Sequence, residues 1–254
     1  MAADGRVRVR RWTATQVAAV LTQLDGRSAA DVLTWAVDAL SPSVALATGL
    51  GVEGLVVLDH LMELGRVPRV FTLDTGRLPP ETYELMDRVR ERYGVAIEVF
   101  APSPADLEPM VRAHGPNLFY RSVQLRQLCC RVRKVLPLRR ALAGLDGWIT
   151  GLRRDQGPTR AGVAKVELDP ENGGLLKVNP LADWSSDDVW AYVRSHDVPH
   201  NVLHDRGYPS IGCAPCTRAV AAGEDERAGR WWWERPEHRE CGIHGPGTAA
   251  EVQP

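Results

Sequence analysis

An α/β fold on a parallel, doubly wound sheet is what this sequence predicts, and three observations carry the prediction. Short apolar runs alternate with segments of helical period through residues 43–114, the pattern of successive βα units. The first run, Ser43-Val44-Ala45-Leu46-Ala47-Thr48, stops at the glycine-rich Gly49-Leu50-Gly51-Val52-Glu53-Gly54. The second, Arg69-Val70-Phe71-Thr72-Leu73, ends in the polar Asp74-Thr75-Gly76-Arg77. Polar clusters beyond strand ends are the ligand-binding edge of such a sheet.

Taken in order, the chain opens with a basic alternating run at residues 6–11, read as a solvated arm or edge strand. Residues 13–24 and 28–40 carry apolar residues at helical spacing, with Thr13 and Ser28 as caps, and form a helical preface. The strand at 43–48, its glycine turn and a helix through 55–61 follow. That turn matches neither a Walker loop nor a GxGxxG fingerprint. Its free backbone N–H groups and the positive end of the helix dipole nevertheless suit an anion. After the strand at 69–73 comes a helix over 80–93, opened by Pro80 and Glu81. A strand at 96–100 and a helix at 104–114 continue the alternation, and a basic helix runs past Cys129-Cys130 to about residue 142.

Gly147-Trp148-Ile149-Thr150-Gly151 reads as another strand, followed by Arg153, Arg154, Gln156 and Arg160. Three arginines beyond a strand's carboxyl end are costly to crowd together without an anionic partner, although a solvated loop also tolerates them. Residues 164–168 and 175–178 are expected to form a short antiparallel excursion, and Ser185 to cap a helix ending near His196.

Lys and Arg (31) nearly balance Asp and Glu (32) in the 254 residues, so no global charge favours nucleic acid or a membrane surface. The longest apolar stretch, residues 55–64, is interrupted by Asp59, His60 and Glu63, far short of a membrane span. With no apolar signal segment at its start, the chain is expected to be cytoplasmic, where thiols stay reduced.

The five cysteines divide into Cys129-Cys130, Cys213-x-x-Cys216 and Cys241. Two close pairs from distant parts of a chain can converge on one tetrathiolate centre, either zinc or an iron–sulfur cubane, and spacing alone does not choose between them. Lys134 stands four residues after Cys130, the helical spacing that puts an ammonium beside a thiolate. Cys241, among glycines near the carboxyl terminus, reads as the reactive thiol. Arg239 and His244 favour its thiolate and Glu240 opposes it.

These stretches, together with Arg227-Ala228-Gly229-Arg230-Trp231-Trp232-Trp233-Glu234 and Glu240-Cys241-Gly242-Ile243-His244, resemble the adenylyl-sulfate (APS) and phosphoadenylyl-sulfate (PAPS) reductases of assimilatory sulfate reduction. The similarity is to the cluster-bearing bacterial APS reductases and covers residues 43–244. It implies an adenine nucleotide alpha-hydrolase-like fold in three parts. These are an arm and helices over 1–40, a nucleotide-binding reductase domain with an iron–sulfur site over 41–234, and a mobile tail over 235–254.

The resemblance also implies roles for named residues. Thr48, Gly49, Gly51 and Glu53 belong to a modified pyrophosphate loop, in which Gly54 stands where the family commonly has Asp. Leu73, Asp74, Thr75, Gly76, Arg77 and Gly151 complete a pocket for APS. Lys134, Arg227 and Arg230 surround its sulfate and phosphate oxygens, with Arg153, Arg154, Gln156 and Arg160 sharing that work. Cys129, Cys130, Cys213 and Cys216 hold a [4Fe-4S] cluster, and relatives specific for PAPS usually lack them, so APS is the implied substrate. Cys241 takes the sulfur as an S-sulfocysteine and thioredoxin releases sulfite. A homo-oligomer is expected. The alternatives are a PAPS reductase of the same chemistry or an ATP-using PP-loop sulfur-transfer enzyme.

Overall fold

The computed structural model describes residues 11–235 and Ile243. The basic run at 6–10 and the tail that carries Cys241 lie outside the described residues, Ile243 excepted.

Helices α1 (Ala14–Leu24) and α2 (Ala29–Leu40) start at capping boxes, Thr13 with Gln16 and Ser28 with Asp31, each satisfying two backbone donors at the helix start. Strand β1 (Val44–Ala47), helix α3 (Val52–Glu63), strand β2 (Arg69–Leu73), helix α4 (Pro80–Tyr93) and strand β3 (Ile97–Phe100) follow. Helix α5 (Pro104–His114) leads to α6 (Val123–Cys130) and α7 (Leu136–Leu142), then to β4 (Gly147–Ile149), β5 (Val166–Asp169), β6 (Leu175–Val178) and α8 (Ser186–His196). Among the described residues no helix is long and apolar enough to cross a membrane.

The six strands lie in the order β3-β2-β1-β4-β6-β5, and every neighbouring pair is parallel except β5 with β6. The expected antiparallel excursion is therefore part of the main sheet, with β6 beside β4 and β5 on the edge. That pairing joins strands separated by intervening structure, and local pattern does not encode it.

Alternate strand residues face opposite layers. Val44, Leu46, Val70, Ile149, Leu176 and Val178 share a core with α1 to α4 and α8. Ala45, Phe71, Trp148 and Leu175 face α7 through Leu138, Ala141 and Leu142. The helical preface thus packs into the same core as the sheet. Leu33, Leu46 and Leu55 are fully buried there, and truncating one to Ala would cost about 2–5 kcal/mol.

The single basic helix expected through the Cys129-Cys130 pair is divided. Between α6 and α7 a π turn spans Arg131–Val135, with the Leu136 N–H donating to the Arg131 carbonyl. Pro137 lacks an N–H and would crowd the carbonyl four residues back, so a wider turn relieves the conflict. This turn, and no regular helix, sets the direction of Lys134.

From β1 the chain moves outward to β2 and β3, then returns to lay β4 on the other side of β1. The crevice outside the carboxyl ends of β1 and β4 is the topological switch point, where an open α/β sheet binds ligands.

Candidate active site

The strand ends at this crevice are built alike. Beyond β1, the buried Thr48 hydroxyl accepts the Leu50 N–H at 3.0 Å, and beyond β4 the Thr150 hydroxyl accepts the Leu152 N–H at 3.2 Å. Beyond β2, Thr75 and Asp74 accept from the Arg77 and Gly76 N–H groups. Each short side chain turns the backbone out of its strand without leaving a donor unpaired.

Gly51 caps α3 with no side-chain hydrogen bond, so the helix start keeps its donors for a ligand. A Cβ on Gly54 would stand 2.5 Å from the Thr48 hydroxyl, and one on Gly151 would stand 2.8 Å from the Gly54 nitrogen. Glycine at both positions lets α3 press against the ends of β1 and β4. Gly54 therefore has a packing role in this chain.

A cleft opens over these ends. Of the residues singled out from sequence, Thr48, Gly49, Gly51, Glu53, Leu73, Thr75, Lys134, Gly151, Gln156, Arg160, Arg227 and Arg230 line it. Asp74, Gly76, Arg77, Arg153 and Arg154 do not. Asp74 accepts from Gly76 and from the Tyr83 hydroxyl at 2.8 Å, and burial together with that carboxylate pushes Tyr83 up to about 12. Gly76 supplies a positive φ of 65° beside Arg133. Arg77 binds Asn117 and the Pro116 carbonyl. Arg154 is exposed and donates to the Val163 carbonyl.

Of the three arginines expected to meet an anion, Arg153 is engaged within the protein. It is 2% exposed and grips Glu53 through Nε at 3.1 Å and Nη2 at 2.9 Å. Gln156 donates to the same carboxylate and accepts from Arg160. The charge of Arg153 is spent on the protein, whereas Arg160, which donates to Gln156, itself lines the cleft.

Beside this cleft lies a second one, lined by all four paired cysteines with Arg77, Arg126, Arg133, Lys134 and Trp231. The cysteines are buried. The Ala214 N–H donates to the Arg77 carbonyl and the Trp231 N–H to the Cys216 carbonyl, which fixes the Cys213–Cys216 turn between the end of β2 and the Trp231 segment. Trp231, 1% exposed, has Arg230, Arg126 and Lys134 at 4.6, 5.1 and 5.9 Å from its ring. Each cation near the ring is favourable, and the charge of Arg126 is already met by Glu234.

Burial pushes the Cys129 thiol up, against Arg133 and Lys134. Burial and the neighbouring Cys213 push Cys216 up to about 12. Burial also opposes the thiolate of Cys213, but Lys134, the Thr75 hydroxyl 3.3 Å away, Arg230 and Arg133 outweigh it and hold Cys213 below the ordinary thiol range.

Among the described residues no group of three or more Cys, His, Asp or Glu stands in metal-holding geometry. The donor set still fits a tetrathiolate centre. Four sulfurs share one closed cleft, cations surround it, and Arg133 Nε and Trp231 Nε1 are buried without a hydrogen-bond partner. A multiply negative sulfur-rich group would answer both the charge and the unmet donors.

Lys134, Cys213 and Trp231 line both clefts. Lys134 acts on Cys213, Cys129 and Cys216, a broader reach than the beside-Cys130 position that helical spacing implies. Reading the sequence missed His204, Ser210 and Glu226, which line the strand-end cleft. They lie in irregular segments where no periodicity or motif marks them. Ile243 also lines this cleft and packs against the cluster that contains Phe71 and Trp148. Cys241 lies outside the described residues.

Comparison with known proteins agrees with this architecture. The phosphoadenosine phosphosulfate reductase domain matches residues 43–219. An adenosine 5'-phosphosulfate reductase of Allochromatium vinosum is 57% identical over 203 residues, 80% of this chain and 78% of that protein. One from Pseudomonas aeruginosa is 47% identical over 232 residues, 89% and 85% of the two chains. The crystal structure of a phosphoadenylyl-sulfate reductase from Candida auris in complex with phosphate superposes with a TM-score of 0.71 at 29% identity, covering 83% of this chain and 99% of that one. With its fold and most of its length matched, this chain belongs to the phosphoadenosine phosphosulfate reductase family.

Proposed function

We propose that this protein reduces adenylyl sulfate to sulfite and AMP, with Cys241 as nucleophile and thioredoxin as reductant. One observation carries the reading: a strand-end cleft with an uncapped helix start and cationic walls shares Lys134 and Cys213 with the four-cysteine cleft. Relatives named for reduction of adenosine 5'-phosphosulfate at 47–57% identity support it. Cys241 stands two positions before Ile243, which lines the cleft.

In this reading the Cys241 thiolate attacks the sulfonyl sulfur, the bond from sulfur to the anhydride oxygen breaks, and AMP leaves with that electron pair. A thioredoxin thiolate then attacks Cys241 Sγ and sulfite departs, leaving a mixed disulfide; the second thioredoxin thiol attacks the thioredoxin sulfur of that bond, closing its own disulfide and releasing the Cys241 thiolate. The two electrons come from the dithiol. Lys134, Arg160, Arg227 and Arg230 offset charge on the oxygens as the anhydride opens. Cys129, Cys130, Cys213 and Cys216 would hold a [4Fe-4S] cluster, which when bound supplies fixed negative charge next to Lys134.

Reaction of anaerobically purified protein with stoichiometric adenylyl sulfate, followed by intact-mass measurement, tests the scheme. A sulfonate adduct present in the wild type and missing in Cys241→Ser is expected. An unmodified wild-type protein that keeps its iron refutes the central step. The 3′-phosphorylated nucleotide is the competing substrate, because the Candida auris neighbour is a phosphoadenylyl-sulfate reductase. Relative kcat/KM on the two nucleotides separates them.

A further inference from the structure

His204 occupies a 3-10 turn, His204–Arg206, on the wall of the nucleotide-side cleft. Both of its ring nitrogens are enclosed; the Tyr208 backbone lies close enough to act on the ring, but neither nitrogen makes a hydrogen bond of good geometry within the chain. A neutral imidazole carries one donor and one acceptor, and leaving both unmet in a buried setting is costly unless something outside the chain completes them.

The ring is held in place from several sides. Its edge meets Trp190 at 5.3 Å and 82°. Its backbone N–H donates to the Asn201 carbonyl, and Asn201, 1% exposed, bonds to Thr82 and to the Leu203 N–H. A side chain that was merely filling space would not need this support around two unmet nitrogens.

The surroundings indicate what the ring faces. The carboxylate that acts on it most strongly is Glu53, in the first turn of α3 where the helix start has no side-chain cap. Glu53 is already engaged by Arg153 and Gln156, so it does not serve the imidazole. The ring lines the same cleft as the uncapped start of α3, Arg160 and Arg227. Burial pushes the imidazole below its ordinary value of 6.5, so at neutral pH it offers a directed N–H and no added cation.

We infer that His204 is a substrate-contacting residue whose ring N–H donates to an oxyanion of the bound phosphosulfate. The inference rests on the nucleotide-binding reading of the cleft and does not depend on the chemistry at Cys241. The oxyanion belongs either to the phosphate, which AMP retains, or to the sulfonyl group, which it lacks.

Calorimetry decides it, with AMP against wild type, His204→Phe and His204→Gln, and with adenylyl sulfate against the same proteins carrying Cys241→Ser to prevent turnover. His204→Phe is expected to weaken binding roughly 10- to 100-fold, the range for a lost hydrogen bond to a charged group. His204→Gln, which keeps a donor, should recover part of that loss. Weakening of both ligands assigns the contact to the phosphate, and weakening of adenylyl sulfate alone assigns it to the sulfonyl end. In the wild type, the 15N resonances of the His204 ring should shift on ligand addition, a readout that stands if a variant folds poorly. Unchanged affinity in both variants, or ring resonances that ignore both ligands, overturns the assignment. Failure of the wild type to bind either ligand overturns the nucleotide reading with it. Normal binding without a sulfonate adduct on Cys241 sinks only the proposed reaction.

Discussion

Arg126 and Glu234 form an ion pair at 2.9 Å with side chains 1% and 3% exposed, joining positions 108 residues apart. One end sits on α6 with the first cysteine pair, and the other closes the turn that carries Trp231. Burial opposes the charge on Arg126, yet its bonds to Glu234 hold the guanidinium above its ordinary value. The pair therefore fastens the cysteine helix to the segment from which the tail departs.

Removing one partner of a buried pair strands the other charge, at a cost of about 3–5 kcal/mol. Glu234→Gln should lose stability of that order in anaerobic urea denaturation, while an exposed pair such as Arg218 with Glu224 should change by less than ~1 kcal/mol when broken. Equal effects at the two pairs would contradict the anchoring role.

Gly151 gives a test of the strand-end architecture. Its added Cβ would meet Glu53 Cβ and the Gly54 nitrogen, both at 2.8 Å. One of those is backbone, so α3 itself must shift. Gly151→Ala should cost about 1–3 kcal/mol, as overpacking does, and should weaken AMP binding because the helix start moves with it. An alanine variant with wild-type AMP affinity would show that α3 does not hold the nucleotide.

What could be read from sequence was what neighbours in sequence decide. The capping boxes at Thr13, Ser28 and Ser185 and the glycine turn after β1 depend on residues three or four apart, and they stand where the pattern puts them. The π turn escaped because Pro137 acts backward on a segment whose own residues are ordinary helix formers. Arg153 looked like a ligand-facing cation because its partner, Glu53, is 100 residues away. His204 was missed for the opposite reason: a single imidazole in an irregular loop has no spacing to betray it, and only its unmet nitrogens mark it.

The cysteine cleft predicts its own dependence on metal. Without an occupant, Arg133 and Lys134 line a cleft with thiols of which Cys216 is pushed up to about 12 and stays neutral. Protein purified without oxygen should be brown and iron-bearing. Chelation or Cys216→Ser should bleach it and lower Tm by several degrees, since binding energy of such centres is folding energy. A colourless wild type with zinc and an unchanged Tm after chelation would reject both the cluster and the charge argument.

His60 sets the last expectation, on stability against pH. It lies on α3 against Trp184 and Tyr192, and burial pushes it below its ordinary 6.5, with Glu63 and Asp59 opposing. Its Nε2 is buried without a partner, so a proton added there finds no acceptor. The folded state thus binds that proton less readily than the unfolded chain. The resulting contribution is fully present above about pH 6.5 and is lost as pH falls from there toward the lower folded value. His204, lowered for the same reason, adds to the slope. Urea midpoints measured between roughly pH 5 and 8 should fall on the acid side for the wild type, less steeply for His60→Gln and least for the double variant with His204→Gln. A wild-type slope that survives both substitutions would assign the acid sensitivity to carboxylates instead.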